Sequence, residues 1–408
     1  EEIEADQLQR QADQAMYQAK QGGKNRFHVF DAVQDRSIRG HNESIERIQL
    51  ALKGREFKLY YQPKVNMRTG EVVGAEAVIR WEHPENGLLA PAAFLPVIEN
   101  HELAVSIGEW VIDSALIQME EWHKLGLEIP VSVNVGARQL QQEDFLDRLR
   151  TILAKHPQLQ TGSLQLEVLE TSALEDIAEV SKIIKACARM GVQFALDDFG
   201  TGYSSLTYLK RLAVAELKID QSFVRDMLDN PDDLAILDGI IGLANAFRRV
   251  VIAEGVETVE HGEMLLQLGC EKAQGYGIAR PMPADQFPGW IVSWKPPLSW
   301  VKIRMVKHED LSLLYALVEH RSWIETLKRY FEGQRIAPPQ MNHHKCRFGV
   351  MIDKMRQNGS GSKARFSHID PLHQRVHELA NELCELKESG HVNVVMSRMK
   401  ELFSLRDE

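Results

Sequence analysis

The chain has 408 residues, more than one ordinary domain needs, and this length predicts at least two domains. Hydrophobic residues make up 44 % and charged residues 26 %, a balance typical of folded globular proteins, and no apolar run approaches the roughly 18 residues of a membrane span. The net charge of −10 argues against binding of nucleic-acid polymers, which needs a basic surface.

The four cysteines are few and widely spaced, which is typical of a protein in a reducing cytoplasm rather than of a disulfide framework. They lie at Cys187, Cys270, Cys346 and Cys384. The first residue is Glu1 rather than Met, so we expect the sequence to be part of a longer protein, with any targeting segment upstream of it.

The first 31 residues have the pattern of a helix followed by a strand. Apolar residues recur at helical spacing from Leu8 to Ala19, Gly22 and Gly23 end that pattern, and Arg26–Phe30 is extended. Alone, a segment of this length is too short to form a stable core.

Residues 41–290 alternate short apolar runs with longer amphipathic ones, as in an α/β fold. Stretches such as Phe94–Leu125 and Ala178–Met190 predict helices between the extended runs. Eight strands over roughly 220 residues match the size of one (β/α)8 TIM-like barrel. A doubly wound open sheet is the alternative, but no glycine-rich dinucleotide-binding motif follows the first strand. The predicted strands are Leu59–Val65, Val72–Ala77, Val131–Val135, Leu164–Leu169, Gln193–Leu196, Glu216–Ile219, Val250–Ala253 and Lys272–Tyr276.

Residues 305–395 have a different composition and predict a C-terminal all-α helical bundle. Long helical patterns dominate, with a Gly/Ser/Asn-rich break at Gln357–Lys363, and the pair Pro296-Pro297 marks a linker before them. This part of the chain holds eight of its fifteen histidines: His308, His320, His343, His344, His368, His373, His377 and His391.

Polar side chains interrupt the predicted strands at or near their ends. In a barrel these positions approach the mouth at the C-terminal ends of the strands, where active sites of this fold lie. Each one alone has an ordinary explanation, such as a cap, a loop salt bridge, a turn residue or a solvated charge at a strand edge. Their joint occurrence on most of the strands favours a site formed by Gln62, Glu76, Asn134, Glu167, Asp197, Asp198, Lys218, Glu254 and Gln274.

Several carboxylates at one mouth cannot all remain ionised without a counter-charge. Two hard divalent cations with oxygen ligands supply that charge, and a metal pair about 4 Å apart stabilises the attacking and leaving oxygens of a phosphoryl displacement. Lys218 is predicted to position or deprotonate the attacking water, and Arg80 to bind a phosphate through two hydrogen bonds.

The motifs that contain these residues closely resemble those of the EAL-domain cyclic di-GMP phosphodiesterases, over about 250 residues. The resemblance implies hydrolysis of one phosphodiester of cyclic di-GMP to linear pGpG, with Mg²⁺ or Mn²⁺. It rests on the segments Tyr61–Pro63, Glu76–Trp81, Ser132–Asn134, Glu167–Glu170, Asp197–Ser205, Leu217–Asp220, Glu254–Glu257 and Gln274–Tyr276.

The resemblance also implies a role for each matching residue. Lys218 would hold or activate the nucleophilic water, with Glu76 and Glu254 beside it in the catalytic set. Glu170 would support the loop Phe199–Ser205, which in this family helps the barrel to form a homodimer. Substrate or the metal shell would be contacted by Gln62, Arg80 and Gln274, and the metal ligands would be Glu76, Asn134, Glu167, Asp197, Asp198 and Glu254.

Two positions depart from the family pattern, and neither removes a catalytic group. Val78 replaces the usual Leu of the name motif, which exchanges one apolar side chain for another. Leu169 replaces the usual Thr, which removes a hydroxyl next to the supporting Glu170. We therefore expect an active enzyme; the alternatives are a cyclic di-GMP receptor without activity and a signalling scaffold.

The N-terminal segment resembles the last helix and strand of a GGDEF diguanylate cyclase domain, on Ala12–Lys20 and Asn25–Phe27. Those residues contain none of that family's catalytic loop. A connecting helix is the alternative interpretation of the same pattern.

The C-terminal part contains a candidate zinc site. Asp370-Pro371 predicts a helix start, which places His373 and His377 four residues apart on one helical face. Such a pair also occurs by chance on solvated helices. Together with His320 and Cys346 it resembles the chemoreceptor zinc-binding (CZB) domains, helical bundles with three His ligands and one Cys ligand.

Three further residues near this site have competing interpretations. His343 and His344 are possible substitute ligands, although polar loop residues are the simpler interpretation. Cys384 lies seven residues beyond His377 and is expected to be a small core residue. We expect zinc, or oxidation of a zinc-bound Cys346 thiolate, to alter the packing of the bundle and so the activity of the barrel.

Overall fold

The computed structural model describes residues 32–202, 206–307, 310–357 and 369–407. The predicted GGDEF-like segment of residues 1–31, His308, His368 and residues 203–205 of the loop after Phe199 lie outside the described residues, as does most of the predicted break at Gln357–Lys363. None of the described helices combines the length and the hydropathy needed to cross a membrane.

The strands of residues 57–283 form a closed eight-stranded barrel, as the sequence predicts. Around the barrel the order is β1-β2-β4-β5-β6-β7-β8-β9, and β9 pairs with β1 to close it. Strands β2 and β4–β9 are parallel, whereas β1 runs antiparallel to β9. The strands are β1 Phe57–Asn66, β2 Val72–His83, β3 Gly87–Leu89, β4 Val131–Asn134, β5 Leu164–Leu169, β6 Gln193–Phe199, β7 Glu216–Ile219, β8 Val250–Ala253, β9 Lys272–Ala273 and β10 Met282–Pro283.

Most helices of the barrel region connect its parallel strands, whereas Ala32–Lys53 precedes the first strand and Phe287–Ser293 follows the last. Local signals set the ends of several of them. Pro231 occupies a first-turn position and the Asn230 side chain caps that helix, while Gly269 ends another helix with φ 93°. The helices are Ala32–Lys53, Leu95–Ile98, Leu103–Lys124, Ala137–Leu140, Phe145–Leu153, Glu170–Glu175, Ile177–Arg189, Leu206–Arg211, Gln221–Asp226, Pro231–Ala246, Val259–Leu268 and Phe287–Ser293, with a 3-10 turn at Pro91–Ala93.

In the described part of the C-terminal region, the regular secondary structure is helical, as predicted. The long helices bury a cluster of apolar side chains that includes Leu327, Leu379, Leu383 and Leu402, and Cys384 belongs to this core. The helices are Leu298–Lys302, Leu311–Phe331, Arg347–Gln357, Ile369–Glu388 and Val392–Asp407.

The chain divides into two compact units. In the unit of residues 32–59 and 79–111, the rings of Phe57, Trp81 and Phe94 lie 5.4–5.6 Å apart, and the Trp81 Nε1–H donates to Glu56 at 2.8 Å. The other unit, residues 60–78 and 112–407, contains the candidate site residues except Arg80.

Candidate functional site

The predicted carboxylates converge on one lysine inside the barrel. Lys218 on β7 is 1 % exposed, and its Nζ lies 2.6 Å from Glu167 Oε2, 2.7 Å from Glu254 Oε1, 3.0 Å from Asp197 Oδ1 and 3.4 Å from Glu76 Oε2. These four acids come from different strands or strand ends, so the closed barrel brings together residues that are up to 178 positions apart (254 minus 76).

Two consecutive aspartates reach the same mouth because the strand that carries them is irregular. In a regular strand Asp197 and Asp198 would point to opposite faces. The pairing of β6 with β7 shifts register between Leu196 and Phe199, and Asp198 adopts φ 53°. This distortion, rare for a residue with a side chain, places carboxylate oxygens of Asp197, Asp198 and Glu254 within 4.8 Å of one another.

The surroundings raise the pKa values of some carboxyl groups of the site and lower that of another. Burial raises the pKa of Asp197 to about 7 and that of Glu254 to about 8, although Lys218 opposes both shifts. Burial also tends to raise the pKa of Glu167, but Lys218 and Lys64 outweigh it and lower the pKa of that carboxyl to about 2. Burial alone would lower the pKa of Lys218; the carboxylates around it, Glu167 first, hold it well above its ordinary value.

Three amide side chains lie around Glu76. Gln274 Nε2 donates to Glu76 Oε2 at 2.6 Å and to Gln62 Oε1 at 2.9 Å, and Asn134 Nδ2 donates to Glu76 Oε1 at 2.7 Å. Both oxygens of Glu76 therefore have a fixed orientation. Arg80 belongs to the other compact unit, where its guanidinium donates to the Ile79 carbonyl at 3.0 Å, so its contact with a substrate phosphate stays a prediction.

Glu170 lies next to the start of the loop that it was predicted to support. Its Oε2 accepts the N–H of Gly200 at 2.8 Å. A β-carbon on Gly202 would lie 2.8 Å from Glu170 Oε1, so the glycine permits this close approach. The predicted role of the loop in a homodimer stays a prediction.

The mouth of the barrel fits a pair of hard divalent cations. Its donor set consists of carboxylate oxygens and one amide oxygen, the ligands that Mg²⁺ and Mn²⁺ prefer. Lys218 lies among four carboxylates and Lys64 contacts one of them, so two ammonium groups leave part of the local negative charge uncompensated unless protons or further cations bind. Burial is the main cause of the raised pKa values of Asp197 and Glu254, and neighbouring carboxylates such as Glu76 add to it.

A second cluster joins three histidines and a cysteine in the C-terminal bundle. His320, His373 and His377 each place a ring nitrogen within 4.8 Å of the others. Cys346 Sγ lies 3.1 Å from His373 Nε2. These four are the residues predicted to bind zinc, and three different helices or helix starts supply them.

The ring nitrogens of this cluster have the character of metal ligands. His320 Nε2 and His377 Nε2 are buried and have no hydrogen-bond partner among the described residues, whereas at His373 the unpartnered nitrogen is Nδ1 and Nε2 faces Cys346. His377 Nδ1 instead contacts the Met341 carbonyl at 2.9 Å, which orients the ring as an outer partner of a metal ligand would. Burial lowers the pKa of His320 to about 3 and those of His373 and His377 to about 4, so the imidazoles are neutral near pH 7.

The residues with competing interpretations are also located. The His344 Nδ1 lies 2.9 Å from Asp353 Oδ2 on the surface, whereas the His343 ring centre lies 6.2 Å from that of His373.

Sequence reasoning did not identify Lys64, which is buried on β1 and binds Glu167. Its signal was the two-residue spacing from Gln62, since alternate residues of a strand share a face.

Comparison with known proteins assigns the barrel to a family. The EAL domain matches residues 45–281, more than half of the chain, and the chain belongs to the EAL-domain family. A second match, the chemoreceptor zinc-binding domain, covers residues 320–384. Both families are those that the sequence motifs predicted.

The similar proteins include enzymes of cyclic di-GMP metabolism. The bifunctional diguanylate cyclase/cyclic di-GMP phosphodiesterase MucR of Pseudomonas aeruginosa is 41 % identical over 276 residues, 67 % of this chain and 40 % of MucR. The cyclic di-GMP phosphodiesterase PdeR of Escherichia coli is 36 % identical over 281 residues, 69 % of this chain and 42 % of PdeR. The chain thus spans about two fifths of the length of these relatives.

Solved structures share the barrel. The MucR phosphodiesterase in complex with c-di-GMP is 42 % identical, with a TM-score of 0.58, covering 60 % of this chain and 99 % of that one. The EAL enzyme Bd1971, bound to cAMP and cyclic-di-GMP, is 31 % identical, with a TM-score of 0.59, covering 71 % of this chain and 76 % of that one.

Proposed function

We propose that the barrel is a phosphodiesterase that hydrolyses one phosphodiester of cyclic di-GMP to linear pGpG with two Mg²⁺ or Mn²⁺ ions. The observation that carries this proposal is the complete set of carboxylates around Lys218. The names of MucR and PdeR and the ligand of the MucR structure support cyclic di-GMP as the substrate.

Glu76, Asn134, Glu167, Asp197, Asp198 and Glu254 would hold the two ions, which supply charge neutralisation and Lewis acidity at the phosphate. In the metal-free site the surrounding carboxylates, Glu167 first, hold the pKa of Lys218 above its ordinary value. Lys218 would orient the attacking water or deprotonate it. Gln62 and Gln274 fix Glu76 and would contact the substrate.

The alternative proposals are a receptor that binds cyclic di-GMP without cleaving it, and a scaffold whose functional part is the bundle. A receptor does not need a full set of metal ligands. The presence of every carboxylate of the set disfavours both alternatives.

The deciding experiment is incubation with cyclic di-GMP and Mg²⁺ or Mn²⁺, followed by chromatography of the products. Glu76→Ala is expected to reduce turnover by at least a thousandfold, because it removes one metal ligand and the acceptor for Asn134 and Gln274. Glu71→Ala is the matched control, since Glu71 is an exposed acid just before the same strand. Binding by the parent protein without any product would establish the receptor instead.

We also propose that His320, Cys346, His373 and His377 bind one Zn²⁺ and that this site regulates the barrel. The buried, unpartnered ring nitrogens described above support zinc binding, and neutral imidazoles are the form that binds metals. Zinc removal, or oxidation of the Cys346 thiolate, would change the packing between the four side chains and thus the bundle.

The zinc proposal is tested by metal analysis together with turnover. The parent protein is expected to retain about one zinc per chain, and His373→Ala with His377→Ala to retain less than a tenth of that amount. Turnover is then compared with and without Zn²⁺ while Mg²⁺ is held in excess. Equal rates in the two states would contradict regulation while leaving the binding site intact.

A further inference from the structure

A second buried lysine contacts the metal site from inside the barrel. Lys64 lies on β1, two residues beyond Gln62, and is 3 % exposed. Its Nζ is 2.6 Å from Glu167 Oε1, 3.4 Å from Gln165 Oε1 and 3.7 Å from Glu216 Oε1. None of the steps proposed above uses this side chain.

The Glu167 carboxylate is held by a different lysine at each oxygen. Oε1 accepts from Lys64 and Oε2 accepts from Lys218, both at 2.6 Å. Glu167 itself is 0 % exposed, so no solvent is available to satisfy an oxygen that loses its partner. The two lysines come from β1 and β7 and therefore hold the carboxylate from two sides of the barrel.

We propose that Lys64 is a positioning residue for Glu167: it binds Oε1 and so, together with Lys218 at Oε2, fixes the orientation of the carboxylate that would bind a metal ion. Metal ligands depend on outer partners of this kind, and removing such a partner typically weakens metal binding by about 10–100-fold. The inference rests on the proposed function for its catalytic meaning, but metal binding can be measured without turnover.

A competing explanation is that Lys64 only neutralises Glu216. That carboxylate lies farther away, and its Oε1 makes no hydrogen bond to the described residues. Changing Lys64 alone would leave Glu216 buried without a cation, which can unfold a protein. The informative variant therefore removes both charges together.

The test compares Lys64→Met/Glu216→Gln with Glu216→Gln alone, in the full chain freed of metals. Mn²⁺ binding is followed by electron paramagnetic resonance, since Mn²⁺ favours the oxygen ligands of the barrel over the imidazoles and thiol of the bundle. We expect the control to bind Mn²⁺ within twofold of the parent and the double variant to bind about 10–100-fold more weakly. Thermal unfolding of both variants checks that the barrel is folded.

Three outcomes would overturn the proposal: normal Mn²⁺ affinity in the double variant, tighter binding in it, or an equal loss in the control. Turnover separates this result from the proposed function. If the parent does not cleave cyclic di-GMP but the variants show the expected binding pattern, the proposed function fails and the role of Lys64 stands. If the parent cleaves cyclic di-GMP and the double variant binds Mn²⁺ normally, the proposed function stands and the role of Lys64 fails.

Discussion

Protonation of two carboxyl groups would oppose binding of the proposed metal ions in the barrel. Burial raises the pKa of Glu254 to about 8 and that of Asp197 to about 7, so at neutral pH both groups carry protons for an appreciable part of the time. A protonated carboxyl is a poor metal ligand, and metal binding must release those protons. The lowered pKa of Glu167 keeps that carboxyl group ionised at neutral pH.

Metal affinity should therefore rise with pH. Between pH 6.5 and 8.5 the proton on Glu254 is lost, and we expect the apparent Mn²⁺ affinity to increase by more than about tenfold. Mn²⁺ titrations at fixed ionic strength measure this change, with release of protons into a weak buffer as an independent signal. An affinity that is constant across the range would mean that the two carboxyls are already ionised without metal.

Individual residues also show what the sequence can and cannot reveal about the site. Glu76, Asp197 and Lys218 were found because motifs and strand ends indicate them. Lys64 was not, because a lysine in an apolar strand is usually a solvated edge charge. Its burial depends on Glu167 and Glu216, which lie 103 and 152 residues away (167 and 216 minus 64), and local patterns contain no information about such partners.

At the level of elements, periodicity predicted the strands better than their ends or directions. Glu76 was predicted at the end of a strand, yet β2 continues to His83. The predicted helix Phe94–Leu125 is two helices, Leu95–Ile98 and Leu103–Lys124. The antiparallel direction of β1 was missed although the chain indicates it. Only five residues, 67–71, connect β1 with β2, too few for the crossover that a parallel pair needs.

The residues just after the predicted linker pack against a helix of the barrel region. Trp300, in the short helix Leu298–Lys302, is 2 % exposed and donates its Nε1–H to the Val259 carbonyl at 2.8 Å. A β-carbon on Gly262 would lie 2.3 Å from the Trp300 ring, so the glycine makes space for it. The proline pair suggested a domain boundary. The contact of Trp300 with Gly262, which the sequence does not reveal, shows that the chain just after the prolines is packed rather than free.

For the molecule as a whole, one helix connects the proposed zinc site with the barrel. Leu311–Phe331 carries His320, and five residues earlier Tyr315 donates its hydroxyl to Asp238 Oδ2 at 3.0 Å. Asp238 belongs to Pro231–Ala246, which packs on β7 and β8. Lys218 lies on β7 and Glu254 directly follows β8, so a shift of the bundle helix can reach both through packed elements.

The Tyr315–Asp238 hydrogen bond should therefore transmit the proposed effect of zinc. In Tyr315→Phe we expect zinc-free turnover within twofold of the parent, because the catalytic residues are unchanged. The factor by which zinc changes turnover should become smaller by about fivefold or more, since a hydrogen bond to a charged group contributes about 1.5–3 kcal/mol. Tyr330→Phe on the same helix is the matched control, and a double-mutant cycle with Asp238→Asn isolates the pair. If Tyr315→Phe and Tyr330→Phe respond to zinc alike, the coupling runs through other contacts of the helix, and this bond only holds the two parts together.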